Sequence, residues 1–130
     1  MPSSKEEKST IKIVSACLAG FPCRYNGSSK PHKKIIELVK AGQALPLCPE
    51  QLGGLTTPRE AAEIDGEKVI TINGVDVTAQ FKKGAEFTLE IAKLYGCCEA
   101  ILKSRSPSCD KTYGVTAKLL KENGITVTAL

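Results

Sequence analysis

Three short apolar runs in this chain lead into loops that carry cysteine: Ile11–Val14 into Cys17, Ala44–Leu47 into Cys48, and Cys98–Leu102 into a loop holding Cys109. Runs of this length, bounded by turn formers, read as buried strands. Helical patterns separate them. Pro31–Lys40 spaces Ile35, Leu38 and Val39 along one face, with Pro31 suited to a first turn and Gly42 to the helix end. Thr78–Tyr95 is the longest pattern, with Thr78 as its N-cap and Gly96 closing it; Phe81, Ala85, Thr88, Leu89, Ala92 and Leu94 carry much of its buried face. A last helix over Val115–Asn123, followed by Gly124, and a final strand over Ile125–Leu130 complete the alternation.

Strand–helix alternation at this spacing predicts a parallel sheet with right-handed crossovers. The expected fold is α/β: a small single-domain parallel (mixed) β-sheet with flanking helices and a small β-hairpin insertion. The hairpin is read from the alternation EIDGEKVITINGVDV over 63–77, in which Asp65-Gly66 and Asn73-Gly74 are tight-turn pairs. Gln51–Glu63, with Gly53-Gly54, Pro58 and Arg59, reads as an irregular loop of a length that is often functional. Residues 1–10 read as a disordered N-terminal tail and 11–130 as one domain. Parallel strands all point one way. The loops at Cys17, at Cys48-Pro49-Glu50 and at Ser106–Cys109 are therefore expected on one rim of the sheet, where such folds collect ligands.

Composition narrows the function. A net charge of +4 from 18 basic and 14 acidic side chains, without basic runs, argues against nucleic acid, and so do the 5% aromatic content and the absence of Trp. No apolar run approaches the roughly 20 residues that span a bilayer. The opening MPSSKEEKST has no signal-peptide core, which sets the expectation of a cytoplasmic protein; a monomer and a homodimer are both compatible with the sequence. Six cysteines in a reducing compartment point to metal binding or catalysis rather than disulfides. Cys97 and Cys98 are the two best explained as small packing hydrophobes.

Cys17, Cys48 and Cys109 make a soft donor set, suited to zinc, cuprous copper or an iron–sulfur cluster. Closed zinc sites favour four ligands in close pairs, and His32, the lone histidine, is weakly placed to be one. Arg24, Arg59 and Arg105 supply positive charge near the thiols, and Ser104, Ser106 and Ser108 supply hydroxyls. Glu50, beside Cys48, is a candidate general acid or base; its plainer reading is a helix or loop cap.

The chain resembles the family of small proteins known as domain of unknown function 523, whose characterised member is a thiouracil desulfidase. The likeness runs from Ile11 to Leu130 on SACLAGFPCRYNG at 15–27, LCPEQLGGLTTPREAAEI at 47–64, GVDVTAQFKKGAE at 74–86, AILKSRSPSC at 100–109 and GVTAKLLKENGI at 114–125. The resemblance implies a 4Fe-4S cluster held by Cys17, Cys48 and Cys109, with one iron free of protein ligand to accept sulfur from a thiocarbonyl. Water would supply the replacing oxygen without net redox change. Among the other motif residues, Glu50 and Cys23 are the candidates for acid/base or sulfur-handling work, and Ser106 for positioning substrate. The chain departs from the family after Cys109. A longer loop with an aromatic-Asp-Gly segment is usual there, whereas here Asp110–Tyr113 runs straight into Gly114.

The leading expectation is thus an iron–sulfur desulfidase acting on a small thiolated heterocycle. Two alternatives stand beside it: a non-catalytic module binding zinc or a cluster, and metal-free thiol catalysis by Cys23 activated by Arg24.

Overall fold

Four parallel strands form the central sheet: β1 (Lys12–Ser15), β2 (Ala44–Leu47), β5 (Glu99–Leu102) and β6 (Thr126–Ala129), in the spatial order β2-β1-β5-β6. The computed structural model describes residues 11–130; the tail expected over 1–10 lies outside the described residues. Alternate side chains of β1 go to opposite faces, as a period of two requires. Ile13 joins a core with Ala92, Leu102, Ala117, Leu120 and Val127, under helices α3 (Thr78–Tyr95) and α4 (Val115–Glu122). Val14 faces the other way, into a core with Leu18, Ile35 and Ala44 under α1 (Lys33–Lys40). Helices thus cover both faces, and no helix among the described residues is long and apolar enough to cross a membrane.

The hairpin is a separate two-stranded antiparallel sheet, β3 (Ala62–Asp65) with β4 (Lys68–Thr71). It turns at Gly66, which sits at φ 62. Val69 and Val77 pack there on Phe81 near the start of α3.

Several boundaries differ from expectation for local reasons. Pro31 stays outside α1, because the His32 amide donates to the Leu18 carbonyl at 2.8 Å and His32 becomes the N-cap in extended conformation. Val77 rather than Thr78 is the N-cap of α3. The Asp76 carboxylate accepts from the Thr78 amide at 2.9 Å, and the Thr78 hydroxyl accepts from the Val69 amide at 2.8 Å instead.

Leu94 is not part of the buried face: it is 84% exposed. Each helical residue advances about 100°, so the stripe Phe81, Ala85, Thr88, Ala92 places Leu94 about 200° beyond Ala92, on the far side. The stripe also contains Gly84, which has no side chain to give a hydrophobic signal. There α3 meets α2 (Pro49–Leu52), a short helix not expected within the loop after Cys48. Pro49 occupies its first position, where a missing N–H costs nothing. A Cβ built on Gly84 would fall onto the Pro49 carbonyl oxygen, and one on Gly53 onto the Gln80 carbonyl oxygen. Two glycines thus let α2 lie backbone-to-backbone on α3.

Candidate active site

β1 ends at Ser15, and the chain tightens at once into a 3-10 turn, Ala16–Ala19, closed by Gly20 at φ 99. Cys17 is carried in that turn, and its carbonyl accepts from the Lys30 amide at 3.0 Å. Beyond β2, Cys48 is the extended N-cap of α2, its carbonyl accepting from the Leu52 amide at 3.0 Å. After β5 the loop is stitched to the start of α4: the Thr116 amide donates to the Ser108 carbonyl at 2.8 Å, and the Ser108 and Thr116 hydroxyls meet at 2.7 Å. Ser106 Oγ accepts from the amides of Ser108 at 3.2 Å and Cys109 at 3.0 Å. The three expected loops do share a rim, and Cys17, Cys23, Cys48 and Cys109 all line one cavity of about 410 Å³ together with Glu50 and Ser106. Cys97 is buried in the main core, as expected of a packing thiol, and Cys98 is half-buried.

The thiols are electrostatically linked. Cys17 is lowered below the usual thiol range because Cys23 hydrogen-bonds to its sulfur, an effect that outweighs its burial. Cys23 is pushed up to about 11, chiefly by that bond to Cys17. Cys48 is raised by its hydrogen bond with Cys23 and by burial, and burial pushes Cys109 up to about 12. The cation that bears on the Cys23 thiol is Arg59, which lowers it; Arg24 is turned elsewhere, its Nη1 donating to Ser28 Oγ at 3.2 Å.

Glu50 is not a cap. Its Oε2 accepts from Arg59 Nε at 3.0 Å in an ion pair whose side chains are 13% and 8% exposed, and Arg59 Nη2 reaches the Cys23 carbonyl at 3.1 Å. The cavity rim also carries Arg24, Lys30, Lys103 and Arg105. Lys103 is lowered by burial and then by Arg24. It is the first residue past β5 and so stands on the same rim. Arg105 sits at φ 63, unusual for a residue with a side chain; its amide donates to Asp110 Oδ2 at 2.6 Å. Burial raises the Asp110 carboxyl, but the amides of Arg105, Thr112 and Tyr113 outweigh it and hold the group below the usual range.

Three thiols on three separate loops around one cavity fit a multi-atom cluster in donor chemistry. Among the described residues no three His, Cys, Asp or Glu side chains are grouped closely enough to hold a single metal ion. The cavity volume falls within the roughly 300–1,000 Å³ of ligand pockets.

The model of the 2-thiouracil desulfurase family matches residues 13–130, all but the first twelve. The chain belongs to the 2-thiouracil desulfurase family. A Bacillus subtilis relative, the uncharacterised protein YbbK, is 42% identical over 139 residues, covering 88% of this chain and 92% of the relative. Among solved structures, a 4Fe-4S-dependent thiouracil desulfidase, TudS, superposes with a TM-score of 0.88 at 41% identity, over 95% of this chain and 91% of that one. Within the family fold, the short Asp110–Tyr113 segment is closed by side-chain chemistry: Asp110 Oδ1 accepts from the Thr112 amide at 2.8 Å, and Asp110 Oδ2 from Arg105.

Proposed function

We propose that this desulfurase-family chain is a 4Fe-4S-dependent desulfidase that takes sulfur from a small thiolated heterocycle of thiouracil type. The exchange balances without redox change: the thiocarbonyl and one water give the carbonyl and hydrogen sulfide. The observation that carries the reading is the convergence of Cys17, Cys48 and Cys109, from the ends of three adjacent parallel strands, on one cavity shared with Glu50.

Cys17, Cys48 and Cys109 would hold the cluster, and a cluster with three protein ligands supplies a Lewis-acid site open to sulfur. The chain's own groups do the rest. Glu50, anchored through Oε2, takes a proton from the attacking water with its other oxygen. Cys23 lies against both Cys17 and Cys48, where departing sulfide gains its protons. Ser106 Oγ already accepts two amides, so its hydrogen is left to direct a bond at the substrate ring.

Anaerobic reconstitution with iron and sulfide is expected to give a brown protein, absorbing broadly near about 400 nm, that releases sulfide from 2-thiouracil. A protein that binds no iron, or loads fully and releases no sulfide, sinks the reading. Glu50→Gln keeps the shape of the side chain and is expected to retain iron while turnover falls about 10²–10⁴-fold, the range for lost acid–base catalysis. Unchanged turnover would remove Glu50 from the reaction.

A further inference from the structure

Arg24, Arg59 and Arg105 all line the cavity, but Arg59 is engaged differently. Its Nε donates to Glu50, its Nη2 to the Cys23 carbonyl, and its Nη1 to Thr57 Oγ1 at 2.9 Å and the Thr56 carbonyl at 3.2 Å. Its own amide donates to the Tyr25 carbonyl at 2.7 Å. A guanidinium carries five N–H donors in a rigid plane, and four are spent inside the protein. Most of the Arg59 guanidinium is thus engaged within the protein. It joins α2 and two loops that the chain itself separates, the one at Cys23–Tyr25 and its own. Glu50, by contrast, is held through Oε2, its contact to Arg59.

We propose that Arg59 is a positioning residue whose guanidinium clamps the Glu50 carboxylate to the Cys23 peptide, holding that carboxylate at the cavity and the Cys23 thiol between those of Cys17 and Cys48. Lysine cannot substitute, because a point charge on a flexible stem does not reach a carboxylate and a carbonyl in one plane. The consequence for turnover rests on the desulfidase reading; the clamp itself does not.

The test uses the full chain. In cluster-free, reduced protein, Arg59→Gln is expected to raise the rate of Cys23 alkylation by iodoacetamide about tenfold through local loosening, read by peptide mass spectrometry. Cys97, in the main core, should react at the parental rate. Cys97 rising in step, or Cys23 unchanged, overturns the clamp. In reconstituted protein matched for iron, kcat should fall about 10–100-fold, the size of an outer-sphere loss, with KM within about threefold. Glu50→Gln and Arg59→Gln together should cost clearly less than the product of the two single losses, since much of the strut's effect passes through that carboxylate; losses that multiply fully would overturn it. Arg59→Lys should follow the same pattern at lower amplitude, and serves if Arg59→Gln does not fold. If the parent releases no sulfide at all, the desulfidase reading fails, and alkylation alone decides the clamp.

Discussion

A Cys109→Ser chain is expected to fold, to take up no stable cluster, and to release sulfide at least about 10³-fold more slowly than the parent, well beyond the 10–100-fold typical of an outer-sphere partner. The side chain is 4% exposed, and serine nearly matches its volume, so packing barely changes. Backbone bonds hold the loop regardless of the sulfur: the Asp110 amide donates to the Ser106 carbonyl at 3.0 Å, and the Thr116 amide to that of Ser108. Only the donor atom is lost, and a hydroxyl is a poor ligand for a site built on thiolate. Iron and acid-labile sulfide per chain, with a melting curve as the folding control, read the result. Full iron loading with parental turnover would strike Cys109 from the donor set.

The second large effect is on stability. On helix propensity alone, Gly84→Ala in the middle of an 18-residue helix should stabilise the protein by about 0.8–1 kcal/mol. Space decides the opposite sign. The new methyl would land on the Pro49 carbonyl oxygen, a backbone atom with no rotamer to give way, so α2 must shift bodily. Overpacking of this kind costs about 1–3 kcal/mol, and the displaced helix costs the site as well. Cys48 and Glu50 flank Pro49, so iron affinity should drop together with the urea midpoint. A variant more stable than the parent would show that α2 does not press on α3 as described.

The sheet was legible in the sequence because four-residue apolar runs alternating with helical patterns leave few other solutions, and the rim follows from strands that share a direction. The extent of α3 was equally legible, since eighteen residues with clear flanks over-determine a helix. What escaped were features set by contacts between distant segments. Pro49 and Gly53 fit the start and end of α2, but four residues carry no helical periodicity, and the close seat that holds it is made by the glycine 35 positions on, at Gly84. The Glu50–Arg59 pair joins residues nine positions apart, and the link from Arg59 to the Cys23 carbonyl joins residues 36 apart. Leu94 is apolar enough to read as buried, yet its angle around the helix turns it to solvent. Motif resemblance named the thiols, whereas the strut that organises the groups beside them needed coordinates.

Pro46 stands in β2, the outermost strand, one turn of the pleat before the thiol-bearing rim. The Lys12 amide bonds the Gln43 carbonyl, so odd-numbered residues of β2 face β1, and Pro46 turns its ring nitrogen outward. A stray strand laid along that margin would meet a position with no hydrogen to offer. The border nearest the reactive sulfurs is thereby blunted against lateral polymerisation, leaving the loops above it open to small molecules and closed to sheet extension.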